Sequence, residues 1–264
     1  MNKAEWFKDT EFWEQFAPVM FDEVHWAEIS GVADAVTRLS RFNLYGETQG
    51  TVWREPLDSA PKILDLCCGL GRISAELALM GYSVTGVDIT ESFLKTAIED
   101  AKAGNLNIEY ILEDARKFTR PGYFDTIVNL YISFGYFQDQ NDDLQVLRNV
   151  YESLKPGGTF IIETLGKEIV IRDFVESEWY ERPNFTVLTE YEPVDSWTFL
   201  KNRWILLLKD GKRIEKIFAQ RLYSASELRS LLQQAGFKQI DIFGDWDESA
   251  YDHKARMLIA VSRK

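Results

Sequence analysis

Leu64-Asp65-Leu66-Cys67-Cys68-Gly69-Leu70-Gly71-Arg72 is the stretch on which the reading of this chain turns. It grows out of a short aliphatic run that begins at Lys62-Ile63, and it leads into an apolar periodic stretch from Ile73 to Met80. That pattern predicts a strand, a tight glycine loop and the first turns of a helix. A second apolar run, Ser83 to Val87, ends in Asp88. The acid arrives roughly 20 residues after the loop, where a nucleotide-binding βαβ unit places the carboxylate that holds a ribose. Gly69 and Gly71 leave no Cβ between the backbone and an approaching ligand. Asp88 offers two oxygens to two sugar hydroxyls.

The same rhythm continues on both sides. Strands are predicted at 62–66, 83–87, 108–112, 124–130 and 159–164, with helices at 72–80, 91–103 and 142–154. The last helix stops at Lys155-Pro156-Gly157-Gly158. Near-continuous apolar strands alternating with helices predict a parallel sheet covered on both faces. Residues 1–60 read as helical: an aromatic helix over Glu11–Phe16 ending near Pro18, then Asp22–Arg41 with Ile29, Val32, Val36 and Leu39 on one face. From 165 to 222 the alternation breaks. Phe185–Thr189, Trp197–Leu208 and Arg213–Leu222 read as antiparallel strands, with Asp210-Gly211 as a hairpin turn. Ser224 to Glu227 is a capping box, Gly236 a helix stop, and strands at 237–243 and 256–262 close the chain. The expected organisation is a helical cap over 1–60, a core over 61–164, a β lid over 165–222 and the rest of the core over 223–264.

Composition narrows the classes of partner. The chain has 264 residues, a net charge of −12 and no basic stripe, which argues against nucleic acid and anionic membranes. No apolar run approaches the roughly 20 residues of a membrane span. The two cysteines are adjacent and cannot staple a loop, and Met1-Asn-Lys-Ala-Glu-Trp6 lacks a signal-peptide layout, so a cytoplasmic setting is expected. With only His25 and His253 and no Cys/His spacing of metal type, no metal site is expected.

Over about 62–164 and 223–262 the chain resembles the class I S-adenosylmethionine-dependent methyltransferases, in particular small bacterial members acting on small molecules. The resemblance rests on Asp65-Leu-Cys67-Cys-Gly69-Leu-Gly71, Gly86-Val-Asp88-Ile89, Glu113-Asp114-Ala115, Phe124-Asp125-Thr-Ile-Val-Asn129-Leu-Tyr131 and Leu154-Lys-Pro-Gly-Gly-Thr-Phe-Ile161, in that order. Cys67 departs from it by standing where the first glycine usually is. The resemblance implies a doubly wound Rossmann-like α/β sheet of seven strands, six parallel and the last antiparallel, with a helical N-terminal cap and an antiparallel β insert. It implies S-adenosylmethionine as cofactor. Asp88 and Ile89 would meet the ribose, Glu113, Asp114 and Ala115 the adenine, and Asp65, Cys67, Gly69, Gly71, Asn129 and Leu130 the remainder.

The reaction implied is in-line displacement at a sulfonium methyl, for which the protein supplies placement and shielding from water. Tyr131 is the candidate to face both substrates. Glu163, at the end of the fifth strand, is a candidate to bind an amine, or a plain loop acid. His25 is a candidate base, or a packed histidine beside Trp26. Phe12, Trp13, Phe16, Phe21 and Trp26 form a candidate cap over the cofactor, or a face docked on the sheet. Strand four ends without the Asn/Asp-Pro-Pro-aromatic signature of exocyclic base methylation, so the expected acceptor is a small-molecule amine or hydroxyl. The chain is expected to be a monomer or a homodimer. A dinucleotide dehydrogenase is disfavoured because Ser74 occupies the third glycine position. Another S-adenosylmethionine chemistry, such as cyclisation, and a non-catalytic binding protein remain open at this point. Methylthioadenosine or S-adenosylhomocysteine as product separates the first of these from methyl transfer.

Overall fold

Alternate side chains of the central strands serve two cores, one on each face of the sheet, and this fixes the architecture. Leu64, Leu66, Ile127, Phe160 and Ile162 pack on one face, while Ile63, Val128, Ile161, Ile259 and Val261 pack on the other. In the computed structural model, which describes residues 5–21, 26–41 and 60–264, seven strands form the main sheet in the order β10-β11-β5-β4-β1-β2-β3. They are β1 (Lys62–Leu66), β2 (Ser83–Asp88), β3 (Ile108–Leu112), β4 (Phe124–Asn129), β5 (Leu154–Thr164), β10 (Gln239–Phe243) and β11 (Leu258–Arg263). β11 runs antiparallel to both its neighbours, β5 and β10, and the other pairs are parallel. The strand order reverses between β1 and β4, so the carboxyl ends of β1 and β4 open a crevice.

Among the described residues, α2 (Ile29–Ser40) and α3 (Arg72–Leu79) cover one face of the sheet; α5 (Gln140–Ser153) and α7 (Ala225–Ala235) cover the other. α4 (Glu91–Ala103) crosses from β2 to β3. Ser224 and Glu227 form both bonds of the expected capping box at α7, with Gly236 at its C-terminal end. The predicted hairpin at Asp210-Gly211 joins β8 (Phe199–Leu208) to β9 (Arg213–Arg221). With β7 (Phe185–Val194) and β6 (Ser177–Arg182) they make a separate four-stranded antiparallel sheet. The two ends of this insert meet beside β5, where Gly166 bridges Tyr223 and the Lys167 N–H donates to Tyr223 O at 2.9 Å.

Four features depart from the sequence reading. β5 starts at Leu154, directly at the end of α5, and not at 159. α1 (Thr10–Met20) runs through Pro18 instead of ending near it. Proline removes one amide donor, and so close to the end of a helix that loss is small against the burial of Phe12 and Phe16. β6 is an additional strand; its sequence, Ser-Glu-Trp-Tyr-Glu-Arg, shows no clean apolar alternation because it is a charged edge strand. The short helix α6 (Lys167–Arg172) is likewise additional. No described helix is long and apolar enough to cross a membrane. Residues 22–25 and 42–59, which include the candidate base His25, lie outside the described residues.

A tight packing constraint beneath the crevice is at Gly86, where a Cβ would stand 2.7 Å from the Tyr110 ring and 3.0 Å from Cys68 Sγ. Gly86→Ala is expected to destabilise the fold by about 1–3 kcal/mol, as overpacked cores do. Thermal unfolding of the single variant and of Gly86→Ala with Tyr110→Leu checks it: trimming the ring should recover most of the lost Tm.

Candidate active site

The carboxyl ends of β1, β2, β4 and β5 open into a cavity of about 890 Å3. Its walls also include the short 3-10 turn Trp6–Lys8, the 131–137 segment and the inner face of the insert sheet. That size lies near the top of the roughly 300–1,000 Å3 range of small-molecule sites and suits two ligands side by side.

The glycine loop is tied to the neighbouring strand. The N–H groups of Cys67 and Cys68 donate to Val87 O at 2.7 and 3.0 Å, and the Gly69 N–H donates to Asp88 Oδ2 at 2.8 Å. Asp88 Oδ1 accepts from the Thr90 N–H at 2.8 Å. Each oxygen retains a lone pair for a further donor. Burial raises the Asp88 carboxyl above its ordinary value, against these two amides. Cys67 has φ of 63°, the left-handed conformation in which a glycine would be unstrained. Gly71 serves packing more than ligand approach: a Cβ there would lie 2.4 Å from Tyr110 Oη. Asp65 is 4% exposed and accepts from Ser74 Oγ at 2.6 Å; burial pushes its carboxyl up to about 6. Burial raises both cysteine thiols as well, so neither is an activated thiolate.

At the end of β3, Glu113 Oε1 accepts from the Asp114 N–H. Asp114 is held by Arg116, whose Nε donates to it at 3.0 Å and whose second arm also reaches Glu5 at 2.7 Å. Burial alone would raise Asp114, but the hydrogen bonds from Arg116 outweigh it and hold the carboxyl below its usual value. Ile89, Glu113, Asp114 and Ala115 all line the cavity.

At the end of β4, the Asn129 Nδ2 donates to Leu66 O at 3.0 Å, while its buried Oδ1 has no hydrogen-bond partner among the described residues. Leu130 is buried in the core beneath. Tyr131 and Ile132 follow with φ of 54° and 61°. Such positions cost of order 1–3 kcal/mol each and persist only where the surroundings fix them. The Tyr131 N–H donates to Glu163 Oε2 at 2.5 Å. Glu163 is 8% exposed, and burial pushes its carboxyl up to about 7 against the amides of Tyr131 and Ile132. The Tyr131 hydroxyl is buried without a hydrogen-bond partner among the described residues.

The structure thus brings Asp65, Cys67, Gly69, Asp88, Ile89, Glu113, Asp114, Ala115, Asn129, Leu130, Tyr131 and Glu163 to one cavity, with Gly71 packed directly behind. Trp26 is not on its wall; half exposed, it faces the Arg72 guanidinium at 5.4 Å. Of the aromatic set, Phe12, Trp13 and Phe21 line the cavity, whereas Phe16 is fully buried against the insert sheet. Sequence reasoning missed Arg72, which stands over the rings of Phe21 and Tyr131 at 4.7 and 5.1 Å. It also missed Thr189, Tyr191, Asn202 and Gln220 on the insert. Their signal is period two: 189 and 191 on β7, 202 on β8 and 220 on β9 all point inward, and Thr189, Asn202 and Gln220 are buried although polar. Among the described residues the wall carries eight carboxylates against a single basic side chain, Arg72.

Comparison with known proteins agrees with this geometry. A family model described as a methyltransferase domain matches residues 63–158. YqeM of Bacillus subtilis (strain 168), classed as a methyltransferase by name, is 26% identical over 226 residues, 82% of this chain and 90% of that protein. The glycine/sarcosine N-methyltransferase of Aphanothece halophytica is 24% identical over 241 residues, 89% of each chain. The solved structure of an S-adenosylmethionine-dependent methyltransferase from Clostridium acetobutylicum shares the fold with a TM-score of 0.75 at 17% identity, over 96% of this chain and 98% of that one. With the strand order, the glycine loop and the acid at the end of β2 in place, the chain carries a methyltransferase domain over residues 63–158, in a fold shared with S-adenosylmethionine-dependent methyltransferases.

Proposed function

We propose that this methyltransferase acts on an amine nitrogen of a small polar molecule that carries further hydroxyl or N–H groups. The observation that carries the reading is the wall itself: eight carboxylates and one guanidinium among the described residues favour cationic or donor-rich ligands over anionic ones. The insert face has the same bias. Both N–H groups of the Gln220 amide are spent, on Ile132 O at 3.3 Å and Phe134 O at 3.0 Å, so its oxygen is the group that remains; the Asn202 amide donates to Leu200 O at 2.9 Å and keeps its oxygen and one N–H. Glu178, one of the eight carboxylates, lies on this side and accepts from the Tyr191 hydroxyl at 2.9 Å. A relative of this chain is by name an N-methyltransferase of glycine and sarcosine.

The residues fit the cofactor. Asp88 would take the ribose hydroxyls and Asp114 the adenine side. Asp65 and the unpartnered Asn129 Oδ1 would take the amino-acid ammonium, and Arg72 the carboxylate. Bound S-adenosylmethionine supplies an electrophilic methyl group. The chain's part is to bring the amine lone pair into line, with Tyr131 as the orienting hydroxyl, and to exclude water with Trp6, Trp13, Phe21 and Tyr136. The amine must arrive unprotonated, so the carboxylates orient it and do not replace its own deprotonation.

Three outcomes are expected. Paired acceptors differing only in amine against hydroxyl should show kcat/KM at least about 100-fold higher for the amine, as expected of a site that rejects a mispaired polar group. S-adenosylhomocysteine release, followed by chromatography, reads this, and a preference for hydroxyl or carboxylate acceptors would refute the amine. Asp88→Ala should weaken S-adenosylmethionine by about 10- to 150-fold in calorimetry, through loss of charge-assisted hydrogen bonds; an unchanged Kd would put the ribose elsewhere.

The third concerns pH. Asp65 at about 6, and Asp143 and Glu163 at about 7, bind protons more tightly folded than unfolded. Their contribution to stability is therefore full below an ordinary carboxyl pKa and is lost as pH rises through 6 to 7. The ligand-free Tm should fall between pH 5 and 8. The Tm gain with S-adenosylhomocysteine should be larger at pH 8 than at pH 5, because its ammonium favours ionised Asp65.

A further inference from the structure

Glu163 stands at the cavity, yet its carboxylate is already engaged. Oε2 accepts the Tyr131 N–H, and the Ile132 amide also acts on the carboxyl. These two residues are consecutive and both left-handed, and both their N–H groups act on the one carboxylate. Neither is a glycine, and a β-branched isoleucine at φ of 61° is a marked outlier. Something must hold the pair. The segment they begin is the wall itself: Ser133, Phe134, Gly135, Tyr136 and Phe137 all line the cavity. Its far end is fixed independently, where the Arg221 N–H donates to Gly135 O at 2.7 Å and the Gln220 amide donates to Phe134 O at 3.0 Å. The same Gln220 amide reaches Ile132 O at 3.3 Å, on the carbonyl side of the near end. A Cβ at Gly135 would stand 2.5 Å from Arg221 O, so that contact leaves no slack. The amide side of the near end rests on the carboxylate.

We propose that Glu163 is a positioning residue: accepting from the Tyr131 and Ile132 amides, it holds both in the left-handed conformation and so sets where the Tyr131 hydroxyl and the 133–137 wall stand. It acts on the reaction through Tyr131 and not by contact with the amine. The kinetic consequence rests on Tyr131 lining the transfer site, as proposed above; the conformational claim does not.

Glu163→Gln keeps the shape but opposes an NH2 to one of the two amides. It should raise amide exchange at Tyr131 and Ile132 at least 10-fold by NMR, with other β4 and β5 amides unchanged. It should lower kcat at least 30-fold while the KM for the acceptor and the Kd for S-adenosylmethionine stay within about threefold. Glycine enters the left-handed region without strain, so Ile132→Gly should rescue Glu163→Gln to within about fivefold of the parent kcat. A residue that merely binds the amine would raise KM, and Ile132→Gly would not help. Unchanged exchange at 131 and 132, no rescue, or failure of Glu163→Gln to fold in both backgrounds overturns the proposal. If exchange responds as stated but no amine is methylated, the acceptor reading fails and the positioning role stands.

Discussion

The whole site hangs on the hydrogen bonding that ties the glycine loop to the end of β2. Two consecutive amides, of Cys67 and Cys68, share the Val87 carbonyl, and the next one, of Gly69, is taken by Asp88. This arrangement places a carboxylate and a loop of backbone in one rigid unit before any ligand arrives. It also explains how Cys67 replaces the more usual glycine. The left-handed conformation it must adopt is fixed by a short amide bond to Val87 O, and its thiol packs against the core at the edge of the cavity.

The parts of the fold that obey local rules were legible in the sequence. β1, β3 and α4 begin and end where periodicity and glycine placement put them, and the capping box at Ser224 is present in full. The cofactor end of the cavity was legible for the same reason: its residues sit in short segments whose spacing reflects a strand-loop-helix geometry. The opposite end was not. Thr189, Asn202 and Gln220 come from three strands of an antiparallel sheet, and only tertiary structure says which face of that sheet is covered and by what. β6 was hidden because an edge strand with solvent on its outer side has no need of apolar alternation. Arg72 looked like an ordinary helix start until its guanidinium was seen among the rings of Phe21, Trp26 and Tyr131. Trp26, read as a cofactor contact, belongs to that stack.

Charge links stability to binding in this molecule. A wall so rich in carboxylates is an unfavourable thing to bury, and the raised carboxyls of Asp65, Asp88 and Glu163 are the direct expression of that cost. Sites of this kind are pre-organised for a cation at the expense of the ligand-free fold. The surrounding aromatic rings deepen the effect, because they exclude water while presenting faces that a cation still finds attractive.

The insert sheet has one inner face, and two occupants share it. Phe12 and Phe16 of α1 fill the part formed by Val187, Leu206, Ile214 and Phe218, and Trp6 Nε1 bonds to Ala219 O at 3.0 Å. The remainder, with Thr189, Tyr191 and Asn202, is left to the cavity. The N-terminal helix therefore occupies part of a face whose remainder lines the cavity, and the two share one boundary. The volume of the cavity on the insert side is thereby bounded by a segment far in sequence from the strands that line it.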